Sequence, residues 1–121
     1  MKTNKDAFES DFKKPEIKIK NETQLSISGN SISLSPEDSF NPIIAWVTTF
    51  KGETLNIDIN LDLINCRSVK LLLKTIVAAD VNENIKNRNI TWYFKDTEDQ
   101  ELGDMIASNI KNSKFKLFCM N

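Results

Sequence analysis

From Leu55 onward the chain alternates apolar and polar positions, with Leu55, Ile57, Ile59 and Leu61 on one side and Asn56, Asp58 and Asn60 on the other. A period of two is the pattern of a strand with one buried face. A polar corner follows, Asn65-Cys66-Arg67-Ser68, and after it Val69, Leu72, Leu73 and Ile76 recur at helical spacing. The pattern therefore predicts an interior strand over 55–61 that turns through the corner into a helix from Ser68. The first turn of a helix has free backbone N–H groups and the positive end of the helix dipole, so side chains in such a corner sit where negative charge is favoured. A phosphoryl group added there changes local charge by nearly two units.

The rest of the chain reads in the same terms. Pro15 opens a short extended segment, Glu16 to Lys20, with Ile17 and Ile19 on one face. Asn21-Glu22-Thr23 reads as a turn, and Gln24 to Ser28 alternates again before Gly29-Asn30 breaks it, which predicts a hairpin. Ser35-Pro36-Glu37-Asp38 has a cap hydroxyl, a proline and two acids, as helix starts do. Pro42 is awkward inside a helix, where it removes a hydrogen bond and crowds the preceding turn. The expectation is thus a short helical turn over 36–39 and a main helix from Pro42 to about Phe50. Ile43, Val47 and Phe50 form its inner stripe, Ile44 and Trp46 lie beside it, and Lys51-Gly52-Glu53 ends it.

Residues 82–89 form a polar, asparagine-rich connection with Ile85 as its apolar anchor. Ile90 to Phe94 is β-branched and aromatic, as strands are. The acids from Asp96 to Glu101 suit the start of a helix, placed at about Asp99, that runs through Leu102, Met105, Ile106 and Ile110. Phe115 to Cys119 is a last strand. The predicted fold class is α/β, with element order β-β-α-β-α-β-α-β and a mixed sheet whose later strands are parallel through right-handed crossovers. Residues 1–14 read as a flexible lead-in and residues 15–121 as one domain.

Composition narrows the function. The 121 residues are 40% hydrophobic and 27% charged, with a net charge of -1. That balance suggests no nucleic-acid binding and no membrane-surface role. No apolar run approaches the roughly 20 residues of a membrane span, and the polar N-terminus has no signal-peptide core. There is no histidine, and the two cysteines, Cys66 and Cys119, are far apart in sequence. A disulfide framework, a zinc site and a histidine-dependent triad are all disfavoured, so no cofactor or metal is expected and the setting is cytoplasmic. Cys66, beside Arg67 at a helix start, is a candidate reactive thiol, but it has no candidate histidine base. Asp58 and Asp62 read as outward acids on a half-solvated strand. Asp96, Glu98, Asp99, Glu101 and Asp104 lack the ligand spacing of a calcium loop. Gly29, Gly52 and Gly103 are scattered and build no phosphate loop, and Trp46, Trp92 and Tyr93 lie in core-like patterns.

Five stretches in one order resemble a known family: Ile27-Ser-Gly-Asn-Ser31, Pro36-Glu-Asp38, Pro42-Ile-Ile-Ala-Trp46, the strand into Asn65-Cys-Arg-Ser-Val-Lys70, and Ile90-Thr-Trp-Tyr-Phe94 with Asp99. They resemble the SiaC-type regulatory phosphoproteins, over about Ile17 to Phe118. The resemblance implies a STAS-like fold, the anti-sigma-factor-antagonist type, and a non-enzymatic partner-switching role. In such systems a Ser/Thr-type kinase phosphorylates a corner hydroxyl and a PP2C-like phosphatase removes the phosphate. The unphosphorylated protein binds a diguanylate cyclase and promotes cyclic-di-GMP synthesis and biofilm growth.

The family corner runs Asn, Thr or Ser, two further Ser, a small or apolar residue, then Lys. Asn65, Ser68 and Lys70 match it, whereas Cys66 takes the usual acceptor position and Arg67 replaces a serine. The segment between Pro36 and Pro42 is also shorter than the family's. The resemblance thus implies a phospho-acceptor and partner-docking corner made of Asn65, Cys66, Arg67, Ser68 and Lys70, in which Ser68 has the hydroxyl that a Ser/Thr kinase needs. The alternatives are a corner that keeps only docking, a fold whose partners have changed, and a thiol redox sensor or small enzyme centred on Cys66.

Overall fold

The computed structural model describes residues 13–120, and there the alternation that begins at Leu55 lies within a 13-residue strand, Gly52–Ile64. The described residues form β1 (Glu16–Lys20), β2 (Gln24–Ser31), α1 (Glu37–Thr48), β3 (Gly52–Ile64), α2 (Cys66–Asp80), β4 (Ile85–Phe94), α3 (Thr97–Ala107) and β5 (Lys114–Cys119), in the predicted order. The lead-in expected over residues 1–14 lies outside the described residues, apart from Lys13 and Lys14. Strand order across the sheet is β1-β2-β3-β4-β5. The β1–β2 pair is the antiparallel hairpin, and the remaining pairs are parallel.

Register explains which face is buried. Leu25, Ile57, Ile90 and Phe115 form one cross-strand row, and Ile27, Ile59, Trp92 and Leu117 the next. These rows share one core with Phe40 and Val47 of α1, Leu72, Ile76 and Ala79 of α2, and Ile106 of α3. The alternate rows are polar: Ser26, Asp58, Thr91 and Lys116 lie side by side on the opposite face. Asp58 accepts a hydrogen bond from Gln24 there, and Asp62 pairs with Lys95. The two acids thus have separate partners. Among the described residues no helix is long and apolar enough to cross a membrane.

Five boundaries, which fall into four kinds, differ from the sequence reading, each for a local reason. Gly29-Asn30 does not end its strand. Gly29 takes a left-handed φ of 85° and pairs with Leu61, while Asn30 pairs with Leu63, so Asp62 is an extra residue in a bulge. Pairing then resumes at Ser31 with Ile64. Second, Glu37–Thr48 is one helix that passes through Pro42. The carbonyl that Pro42 leaves without its N–H belongs to Asp38, and both residues are exposed, so water can replace the lost partner. Phe40 joins Val47 as a fully buried contact of this helix, while Ile43, Ile44 and Trp46 pack at the core margin. Third, α2 starts at Cys66 and α3 at Thr97, not at Ser68 and Asp99, because Asn65 and Asp96 are the side-chain caps. Fourth, β4 starts at Ile85, whose buried side chain carries the strand back through the polar stretch 86–89.

Gly103 shows how closely α3 lies on the sheet. A Cβ there would sit 2.7 Å from both Leu117 and Trp92, whose indole N–H donates to the Asp99 carbonyl at 3.0 Å. Gly103→Ala is expected to cost about 2 kcal/mol through overpacking, read as a lower urea midpoint. An unchanged midpoint would mean that α3 can lift off β4 and β5 freely.

Candidate functional site

Asn65 organises the corner. It has extended backbone, and its Oδ1 accepts from the Ser68 N–H at 2.9 Å, the bond expected of a cap residue. Its Nδ2 donates to the Ser33 carbonyl at 3.0 Å, and its N–H donates to the Ser31 carbonyl at 3.0 Å. One side chain therefore caps α2 and ties that cap to the segment leaving β2.

Cys66 and Arg67 occupy the first two helical positions and are exposed. The Arg67 guanidinium donates to the Leu34 carbonyl at 3.1 Å and forms a close ion pair with Glu37 in the first turn of α1. Arg67 thus bridges the starts of two helices. Ser68 is different. It has 0% exposure, and its Oγ accepts from the Ser31 hydroxyl at 2.7 Å, itself fully buried. The expectation that Ser68 presents a hydroxyl to a kinase meets a sealed side chain, because the third helical position faces β2. Lys70 is exposed and makes no ion pair among the described residues. It lines a shallow, mostly apolar groove of about 380 Å³ with Leu71, Leu73, Lys74 and Val77 along α2.

The electrostatics of this end are distinctive. The first turns of α1 and α3 carry acids, Glu37 with Asp38 and Glu98 with Asp99, whereas the first turn of α2 carries none. Its free N–H groups and Arg67 therefore add in sign, and Lys70 and Lys74 continue the positive charge along the helix. The site suits an acidic or phosphorylated partner group. The chain has no histidine, and the described residues hold no cluster of three or more His, Cys, Asp or Glu fit for a metal. Cys66 and Cys119 are both free thiols.

Asp96 and Asp99 lie at the start of α3, after β4, on the same sheet edge, where Lys95 pairs with Asp62 of β3. Asp96 caps α3, and burial, followed by the charge of Asp96, holds the Asp99 carboxyl above its ordinary range. These acids form the start of α3, and no group of three or more metal-binding side chains gathers there among the described residues.

Sequence reasoning missed the residues that complete the corner: Ser31, Ser33, Leu34 and Glu37 reach it only because β2 and β3 are parallel neighbours. The run of serines at 26, 28, 31, 33 and 35 was the available signal. It also missed Asp80, the buried carboxylate at the far end of α2.

The family model described as SiaC family regulatory phosphoprotein matches residues 8–120. The chain belongs to the SiaC family. Solved structures with the same fold include a chain of the crystal structure of the diguanylate cyclase SiaD in complex with its activator SiaC from Pseudomonas aeruginosa. It aligns with a TM-score of 0.78 at 18% identity, covering 88% of this chain and 92% of that one. SiaC of Pseudomonas aeruginosa aligns with a TM-score of 0.77 at 18% identity over 88% and 90%. Apo-SiaC of the same organism gives 0.76 at 18% identity over 86% and 89%. No curated protein matches the chain. The SiaC-family resemblance of the five motifs and the α/β order are both borne out. At this level of identity the structural likeness speaks for the fold.

Proposed function

We propose that this SiaC-family chain is a non-enzymatic partner switch that binds a diguanylate cyclase through the corner Asn65, Cys66, Arg67, Ser68 and Lys70 and raises cyclic-di-GMP synthesis. A Ser/Thr-type kinase ends that contact by adding a phosphate, and a PP2C-like phosphatase restores it. The setting is the cytoplasm, where the cyclase finds its GTP. The observation that carries this reading is the first turn of α2, exposed at Cys66 and Arg67, free of acids and fixed by the Asn65 cap. The family is one of regulatory phosphoproteins, and in the Pseudomonas complex SiaC is the activator of a cyclase. Ser68 supports the surface from below by packing against Ser31, and Lys70 leads into the groove along α2.

The test is the initial rate of cyclic-di-GMP formation by a GGDEF-type cyclase encoded in the same genome, with the unphosphorylated chain titrated in. A saturable rise, at least several-fold, is expected. A flat titration together with no detectable binding to any such cyclase would remove this function from the chain.

A further inference from the structure

The family is one of regulatory phosphoproteins, yet the corner of this chain exposes a thiol, Cys66, and seals its serine, Ser68, away. We propose that Ser35 is the hydroxyl this chain offers to a protein kinase, with Arg67 as the group that receives the phosphate. The proposal rests on the partner-switch reading only for its consequence at the corner; the acceptor itself is argued from geometry.

Phosphoryl transfer needs the attacking oxygen in line with the γ-phosphorus, so the hydroxyl must reach the kinase. Ser31 and Ser68 have 0% exposure and bond to each other. Ser33 is 5% exposed, and its Oγ already accepts from the Ser35 N–H at 3.1 Å. Ser39 is half-buried within α1. Ser35 alone among these is exposed, in the irregular segment between β2 and α1, and its hydroxyl takes part in none of the hydrogen bonds among the described residues. Its backbone is nevertheless fixed, since its carbonyl accepts from the Asp38 N–H at 3.2 Å. A held backbone with a free hydroxyl, after the exposed Leu34 and before Pro36, is a presentable acceptor.

Arg67 is already at this place. It donates to the carbonyl of Leu34, one peptide bond from Ser35, and pairs with Glu37, two residues beyond. A phosphate on Ser35 would compete with Glu37 for that guanidinium, whose fork suits a phosphate, and would lie at the start of a 12-residue helix. In the transfer a kinase base takes the Oγ proton, the Oγ–Pγ bond forms, the bond from Pγ to the β-phosphate bridge oxygen breaks, and ADP leaves from ATP. Nearly two negative charges then stand against the residue that gives the docking corner its positive sign.

The experiment has two arms. Wild type, Ser35→Ala and Ser68→Ala are incubated with ATP and a lysate of the native cells with phosphatases inhibited, and phosphopeptides are mapped by mass spectrometry. Phosphate at Ser35 in wild type and Ser68→Ala, and its loss in Ser35→Ala, is the expected result. Phosphate confined to another residue, or none in wild type, overturns the assignment. In the second arm phosphoserine is encoded at position 35 and its ionisation followed by ³¹P NMR. Arg67→Ala should raise the second phosphate pKa, and an unmoved pKa would show that Arg67 does not receive the group. Cyclase activation by the unmodified chain is scored separately, so failure here leaves the function standing, and the reverse.

Discussion

Asp80→Ala lowers the unfolding free energy by about 3 kcal/mol or more, the largest loss expected from a single polar side chain in this fold. Asp80 is 2% exposed at the end of α2. Its carboxylate accepts from the Lys111 N–H at 3.0 Å, the Asn112 N–H at 2.8 Å and the Ser113 hydroxyl at 2.7 Å. Its carbonyl accepts from Arg88 at 2.5 Å. Alanine leaves the two amides and the hydroxyl without their acceptor, and loosens the loop that delivers β5. Burial by itself would raise the Asp80 pKa, but the N–H of Lys111, the Ser113 hydroxyl, the N–H of Asn112 and the Arg88 charge together hold it below the ordinary carboxylate range. A carboxylate depressed in the folded state contributes stability above its unfolded pKa and loses it as pH falls through the folded value. Wild type should therefore lose stability as pH falls below about 4, and Asp80→Asn should lack that component. Asp99, held above its ordinary range, contributes with the opposite sign, so the comparison is made between variants at matched pH. Urea unfolding of wild type and both variants at several pH values measures this. A wild-type-like midpoint for Asp80→Ala would show that the loop 111–113 closes without its anchor.

Reversing charge at Arg67 carries the second large effect, on binding and not on folding. Arg67 is exposed, so its pair with Glu37 adds under about 1 kcal/mol to stability. Arg67→Glu places one acid at the start of α2 against Glu37 and Asp38 of α1 and removes the bond to Leu34. Cyclase affinity is expected to fall by about 100-fold, in the range measured when a charge at an interface loses its partner. The circular dichroism spectrum should be retained, and Arg67→Lys should lose less because the charge survives without the fork. Calorimetric titration of the cyclase with each variant gives the comparison. Equal affinity for wild type and Arg67→Glu would place the docking surface elsewhere.

Much of this architecture was legible because burial on one face imposes a period of two on Leu55, Ile57, Ile59 and Leu61, and because each later strand alternates with a helical stripe. The hydrophobic stripes place helix starts two residues late. Asn65 and Asp96 cap through side chains whose reach to the third amide only the folded backbone reveals. Pro42 marks a boundary in the sequence because proline ordinarily breaks the ladder, but the carbonyl it orphans, that of Asp38, is on the wet side of α1. Gly29-Asn30 looks like a break for the same kind of reason, and it is a bulge. That bulge matters most for the corner. It carries Ser31 to the start of α2, where it meets Ser68, and no spacing within the corner announces a partner 37 residues away. The polarity of Arg67 was visible in the sequence, whereas its contacts with Leu34 and Glu37 depend on β2 lying beside β3.

The two free, exposed thiols offer the most direct test of the central claim, that the partner docks on this corner. Cys66 lies in the corner and Cys119 at the end of the edge strand β5, so one reports on docking and the other serves as an internal control. Alkylation by iodoacetamide is followed at both residues by mass spectrometry, with and without saturating cyclase. The expected result is at least about tenfold slower modification of Cys66 in the complex, as a buried interface excludes reagent and water, with Cys119 unchanged. Cys66 reacting at its free rate in a mixture where binding is demonstrated would contradict the account.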